Sequence, residues 1–407
     1  MHNLKVPTTQ ASQRLAAWME RDGAITGSRG MKRKETLSEI DDEEDVKQAA
    51  VIDRIGSKHS DGSIYRLEEH HLHRLYRLDD TRETSLEPMR LSLPTKYCYP
   101  CFTNCKRHIH ATMLQIYSLK LNLPAKAPSS NGHIQIYGFM AARDLLDPLR
   151  NYVFNRTRDD PFVIQDINSD PFIYLSGPKR GVYLQCPVVI EYDMWIKRGE
   201  EQKDDPSLID GAFICSELTC IRGTFTNRIE GGFDGASVDI SRALFRGAVE
   251  ATVEVQIIEL AERGDADGSG VDLSVSGFVP PIKEEIKLFR GAVDKPCVMN
   301  RFVIPVFSDS FLLVFFKVTG APSDQTGKFA FRAVPHGSIW SRQKFSFATI
   351  EVKVVVSSRV NIHEMSTSHL QFISILCRRE MCYVETREIG RSAVQDSGLR
   401  TQEIVNH

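Results

Sequence analysis

The hydrophobic rhythm of the chain changes near residue 110. From there on, apolar residues return at every second position. Ile134 and Ile136 alternate with His133, Gln135 and Tyr137. Val182, Leu184, Cys186, Val188, Ile190, Tyr192, Met194 and Ile196 form a long alternation in which Pro187 predicts a bend or break. Val249, Ala251, Val253, Val255 and Ile257 alternate with Glu250, Thr252, Glu254 and Gln256. Val271, Leu273 and Val275 follow the same rule, as do Ile350, Val352, Val354 and Val356. A period of two puts one face of a strand in a core and the other in water, the habit of antiparallel sheets. Turn-forming runs separate the strands, among them Ser129-Ser130-Asn131-Gly132 and Ser176-Gly177-Pro178. The pattern predicts an all-β fold, an antiparallel sandwich over 110–358, with helix only locally, as at Ile240 to Phe245.

The flanks read differently. Residues 1–109 are polar and charged and lack β-rich runs, which predicts a disordered extension carrying short helices. Thr9 to Arg21, the acidic run from Asp41 to Asp45 leading on to Arg54, and Ser63 to Asp80 are the helical candidates. Residues 359–407 lose the alternation and are expected to form a tail.

Composition narrows the function. The chain has 407 residues, 42% hydrophobic and 26% charged, with a formal net charge of −2. Near-neutrality gives no global attraction to nucleic acid or to an anionic membrane. The strongest apolar run, Phe311 to Phe316, is too short to span a bilayer as a helix and suits a buried strand. The first residues lack the apolar core of a secretory signal, and the nine cysteines follow no framework. Both points predict an intracellular, cytoplasmic protein with reduced thiols. Met31-Lys32-Arg33-Lys34 is a weak nuclear-import patch.

The candidate chemistry is concentrated between Tyr137 and Lys197. Arg143, Asp144, Asp147, Arg150, Asn151, Arg156, Arg158, Asp159 and Asp160 read as one crowded connection between strands. As a binding loop they would grip an anionic group, a peptide or another domain, because arginine offers planar, bidentate donors. The plainer reading, which such density favours, is a salt-bridge network pinning a long loop onto the sandwich. Upstream, Cys98, Cys101, Cys105, His108 and His110 supply enough S and N ligands for a zinc ion. Their spacing is too compact for a standard finger, and a thiol-rich lead into the first strand is the preferred reading. His70, His71 and His73 suit a solvated helix face. Asp265 to Gly270 resembles part of a calcium loop, lacks its later bidentate glutamate, and reads as a hairpin loop. No phosphate-binding glycine loop, nucleophile elbow or triad spacing appears, so no cofactor is implied.

The same block carries a family resemblance. Tyr137-Gly138, Ala142-Arg143-Asp144, Arg150 to Arg156, Arg158-Asp159-Asp160, Leu175 to Gly181, Glu191-Tyr192-Asp193 and Ala248 to Ala251 together resemble a plant family, abundant in grasses, described as a domain of unknown function. The resemblance covers roughly Thr112 to Ser358. In some cereal proteins a similar domain is joined to a ribosome-inactivating RNA N-glycosidase linked to defence and jasmonate stress. This implies a stress or defence setting. The N-glycosidase motif resembles Glu-Ala-Ala-Arg on a helix, whereas Met140-Ala141-Ala142-Arg143 lacks the glutamate and follows a strand pattern. Without that carboxylate nothing is expected to stabilise an oxocarbenium ion or activate water. The function read from the chain is therefore a non-enzymatic interaction or accessory β-domain with a protein partner. The alternatives are RNA N-glycosidase activity or association, and a carbohydrate- or lipid-binding sandwich, for which Trp195 or Trp340 would provide an exposed ring.

Overall fold

The computed structural model describes residues 59–60, 64–65, 75–88, 108–124, 133–184, 186–216, 223–231, 235–261, 270–318 and 325–360. Several sequence expectations lie outside them: the helices at Thr9 to Arg21 and Asp41 to Arg54, the basic patch Met31 to Lys34, His70, His71 and His73, the thiols of Cys98, Cys101 and Cys105, the loop of Asp265 to Ser269, and the tail beyond 360.

What is described is almost all antiparallel strand. β1 (Ala111–Asn122), β2 (Ile134–Asp144), β3 (Asp147–Arg156), β4 (Val188–Lys197), β5 (Ser207–Cys215), β6 (Thr224–Glu230) and β7 (Ser237–Leu260) come first. β8 (Val271–Phe278), β9 (Ile286–Val293), β10 (Phe302–Phe307), β11 (Phe311–Val318), β12 (Thr326–Arg332), β13 (His336–Lys344) and β14 (Ala348–Ser357) follow.

β7 organises the rest. Its 24 residues would extend about 80 Å at the usual strand rise. The first half lies between β6 and β1, the second between β14 and β10. The sheet around the first half faces a sheet of order β5-β4-β2-β3, and the two enclose one apolar core. The sheet around the second half faces a sheet of order β9-β8-β11-β12 and encloses another. The single sandwich expected over 110–358 is thus two sandwich cores threaded by one strand. Val238 and Ile240 enter the first core; Val249, Ala251, Val253, Val255 and Ile257 enter the second. Between these sets the β7–β1 register slips from Phe245 to Ala248, and Gly247 takes φ +67°. One extra residue with a glycine in the left-handed region is a bulge, which bends and twists a strand without ending it.

Three local expectations need correction. Ile240 to Phe245 is strand, not helix. Ile240, Ala243 and Leu244 have helical spacing, but residues on both faces of this stretch are buried, so either period fits its sequence. Ser63 to Asp80 is not one helix, because Ile64 and Tyr65 pair with His59 and Ser60 as a short hairpin. Residues 75–88, inside the expected loose extension, are packed: Tyr76, Leu78 and Thr84 are buried. By contrast, the break at Pro187 lies between the short strand Val182–Tyr183 and β4, as the alternation predicts.

Candidate functional site

The nine Arg, Asp and Asn residues do not form one connection. Asp144 and Asp147 flank the tight turn from β2 to β3, Arg150 and Asn151 lie within β3, and Arg156 to Asp160 leave its far end. A ten-residue strand separates the two groups by about 30 Å. Sequence order placed them together because Tyr152-Val153-Phe154 is too short to advertise itself as a strand.

The turn-side group is a buried network on the outer face of the β5-β4-β2-β3 sheet. Arg143 Nε donates to Glu191 Oε2 at 2.8 Å, with both side chains at 0% exposure. Arg150 donates to the same carboxylate at 2.7 and 3.1 Å and stacks 4.0 Å from the Phe139 ring centre. Two guanidiniums thus share one carboxylate. Backbone carbonyls face the surplus positive charge: Arg143 also donates to the oxygens of Tyr76, Arg77, Asp80 and Pro148 at 2.8–3.3 Å. Burial pushes the Arg143 guanidinium down, against the pull of Glu191; for Arg150 burial acts the same way but bonding to Glu191 prevails and raises it. Both remain charged, since a guanidinium keeps its proton in proteins.

Three of those four carbonyls belong to residues 75–88, which form a strap over this sheet. Tyr76 and Leu78 pack on Val189, and the Tyr76 hydroxyl donates to the Pro187 carbonyl. The strap then runs beside β3, where Thr84 N–H donates to Arg150 O and Arg150 N–H to Arg82 O. Arg180 fixes the corner with a bidentate pair to Asp144, 2.7 and 2.9 Å, and a bond to Thr84 Oγ1. Thr84 donates in turn to Asp147 at 2.7 Å. Asn151 accepts from Lys179 N–H and donates to the Arg180 carbonyl. Gly181 N–H donates to Glu250 on β7 at 2.7 Å. Arg143, Asp144, Asp147, Arg150 and Asn151 are all engaged within the chain.

A carboxylate does stand beside Arg143, which sequence reasoning missed. It is Glu191, from β4, and not a neighbour on one helix. With neither side chain exposed, the pair has no surface on which a substrate could meet it. Arg180 was also missed. Both residues lay in the motifs that carry the resemblance, but only as strand and turn letters.

The far group is mostly solvated. Arg158 pairs with the buried Asp205 at 2.7 Å, and Tyr137 donates to Asp205 at 2.8 Å. Burial would raise the Asp205 carboxyl, but Arg158, the Arg198 N–H and Tyr137 hold it below its ordinary value. Asp159 is exposed. Arg156 bonds Asp160 at 2.7 Å and lines a cleft of about 360 Å³ where the two sandwiches adjoin. Phe162, Tyr174 and Phe289 supply aromatic walls; of the lining cations Arg156 pairs with Asp160 and Arg290 with Asp170, and Lys295 and Asp294 also line the cleft. Burial pushes the Tyr174 phenol up to about 12, so it stays a neutral donor. Val298, at the edge, is 72% exposed. Its lining residues are over a hundred positions apart, so no sequence pattern could have announced it.

Of the zinc candidates, the backbone of His108, in a short strand paired with Val360, and His110, which is exposed, are described. Among the described residues no group of three His, Cys, Asp or Glu gathers as a metal site would. Trp340 is 67% exposed on β13, while Trp195 is half-buried and donates to Asp193. They belong to different sandwiches and make no common patch. No helix among the described residues is long and apolar enough to cross a membrane.

Fold and network together define an all-β protein of two sandwich cores on a shared strand, with one outer sheet strapped by an upstream segment. The profile of the family described as a domain of unknown function, DUF6598, matches residues 113–356, and the chain belongs to that family. The strap lies upstream of the matched region. No curated protein matches the chain. Human GIVD cytosolic phospholipase A2 is similar in structure at 9% identity and a TM-score of 0.20, over 62% of this chain and 33% of that one, so the chain spans about a third of its length. The calcium-bound tandem C2 domains of extended-synaptotagmin 2 are similar at 10% identity and a TM-score of 0.21, over 62% and 97% of the two chains. Scores this low carry no argument about function.

Proposed function

We propose that the chain is a non-enzymatic interaction module whose partner docks in the cleft between the sandwiches. The cleft carries this reading: it combines aromatic walls with charged side chains, and its volume of about 360 Å³ is within the range of recognition sites. The buried network offers no comparable surface, because its donors and acceptors are spent on the strap. The partner that fits is an acidic protein segment bearing an aromatic or aliphatic anchor, the anchor between Phe162 and Phe289 and a carboxylate toward Lys295. The setting in plant stress or defence, beside a ribosome-inactivating domain, rests on the sequence resemblance alone.

The test is fluorescence anisotropy of full-length protein with a labelled peptide of alternating aspartate and phenylalanine. Binding should weaken with salt and on Lys295→Glu, and persist in Lys344→Glu, which alters an exposed strand end elsewhere. Binding indifferent to Lys295→Glu, or no binding, rejects the cleft. Adenine release from intact ribosomes by the unaltered full-length protein would reject the non-enzymatic reading and favour N-glycosidase activity.

A further inference from the structure

The first core holds a charge that neither the strap nor the cleft uses. Arg242, on β7 opposite Phe225 of β6, has no exposed surface. None of its three guanidinium nitrogens has a hydrogen-bond partner. Arg143, Arg150 and Arg180 are comparably buried, and each has a carboxylate. What Arg242 has is two aromatic rings, its guanidinium carbon 5.0 Å from the centre of Phe225 and 5.2 Å from that of Phe213. Ring faces attract a cation, but they replace only part of the hydration a buried ion gives up.

The position of this charge in the fold is informative. β5 and β6 are edge strands of the two facing sheets, so the seam between them is not closed by a hydrogen-bonded ladder. At one end the sheets nearly touch: a Cβ on Gly231 would come within 2.2 Å of the Leu208 carbonyl oxygen. From there β5 runs on to Phe213 and β6 runs back to Phe225. Arg242 fills the space between those rings, at the other end of the seam. Asn227 faces the same core two positions from Phe225, and its Oδ1 is buried without a partner. Arg242 and Asn227 are thus two buried polar groups without partners on the core-facing side of β7 and β6, with Phe213 and Phe225 beside the guanidinium.

We propose that this seam binds a carboxylate-headed apolar molecule, such as a medium-chain fatty acid. Its head pairs with Arg242 and its body lies along the seam beside Phe213 and Phe225. A carboxylate matches a lone guanidinium in charge and in its two-oxygen geometry. A phosphate head would bring a second negative charge to a single guanidinium. Water could accept a bond but would leave the ion uncompensated.

The experiment is calorimetric titration of full-length protein with sodium decanoate below its aggregation range. Decanol, which lacks the charge, and acetate, which lacks the body, serve as controls. Decanoate should bind, raise the melting temperature, and bind more tightly than either control. Arg242→Met should weaken decanoate binding about tenfold to a hundredfold, the usual effect of losing a charge-assisted pair, while raising the melting temperature of the ligand-free protein. No decanoate binding, or equal binding to Arg242→Met, overturns the proposal. If Arg242→Met does not fold, decanoate labelled with carbon-13 at its carboxyl decides on the unaltered protein. A head held by Arg242 titrates below free decanoate; a bound head that titrates as it does in water overturns the proposal.

Discussion

The two sandwiches share a strand and the same alternation of apolar residues, but they treat charge differently. Arg143, Arg150, Arg180, Glu191, Asp144, Asp205 and Arg242 are all buried on the first. In the second, the pairs Arg342–Glu351, Lys353–Glu254 and Lys287–Glu285 keep their charges at the surface. Buried ion pairs are not needed for stability, since apolar side chains of similar volume serve as well or better. The second core is built of apolar side chains. The first spends desolvation energy on a geometry that accepts one particular segment: a sheet face carrying Arg143 needs carbonyl oxygens above it, and the strap provides them.

The largest expected effect tests that geometry directly. Glu191→Gln keeps the shape of the side chain and removes one charge, leaving Arg143 and Arg150 without their carboxylate. Unfolding free energy should fall by about 3–5 kcal/mol in denaturant titration, the usual result of breaking a buried pair on one side. Proteolysis within residues 75–88 should accelerate in parallel. A loss under about 1 kcal/mol would mean that the carbonyls suffice and that the carboxylate is incidental.

Acid should separate the two cores. Asp80, Glu87, Asp166, Asp205 and Asp239 are held below their ordinary values, and all lie in the strap or the first sandwich. Bonding to Arg82 lowers Asp80 to about 2. A folded value below the unfolded one means that the unfolded chain binds more protons as pH falls. The stabilisation is therefore complete above about pH 4, the unfolded value, and is lost as pH falls toward the lowered folded values. Hydrogen exchange between pH 5 and pH 2 should show β2, β3 and β4 losing protection before β8 and β11. Simultaneous loss would show that β7 couples the cores too tightly for either to act alone.

Much of the second sandwich was legible from sequence, because Val271 to Val275 and Ile350 to Val356 bury one face and wet the other. The unity of β7 was not. Its first half carries Ser241 and Arg242 in buried positions, which breaks the alternation, and the bulge at Gly247 shifts it again. The strap was illegible for a different reason. It is held largely through its own backbone carbonyls by Arg143, 66 residues away in the case of Arg77, and a carbonyl leaves no mark in a sequence. The charged block was visible, but its division between two ends of a hairpin was not. Arg242 fell within the stretch expected to be a local helix, and only the fold shows it between two rings.

A core that depends on volume should respond in small steps. Ile350, in the second core, is fully buried. Ile350→Val removes one methylene and should lower stability by about 0.5–1.5 kcal/mol, without the altered proteolysis of the strap expected for Glu191→Gln. Increased cleavage within 75–88 in Ile350→Val would show that the strap reports on global stability and not on its own bonds.

The smallest effect is expected where the hydrogen bonds look no worse. Arg342 donates twice to Glu351, at 2.9 and 2.7 Å, much as Arg150 donates to Glu191. The Arg342 side chain is 56% exposed, however, so water competes for both partners and salt screens them. Arg342→Ala should change unfolding free energy by less than about 0.5 kcal/mol, and by less still at high salt. Arg150→Ala leaves the buried Glu191 to Arg143 and should cost several times more. If Arg342→Ala instead costs more than about 1 kcal/mol, burial is not what distinguishes the charges of the two sandwiches, and the contrast between a packed core and a strap-holding one loses its physical basis.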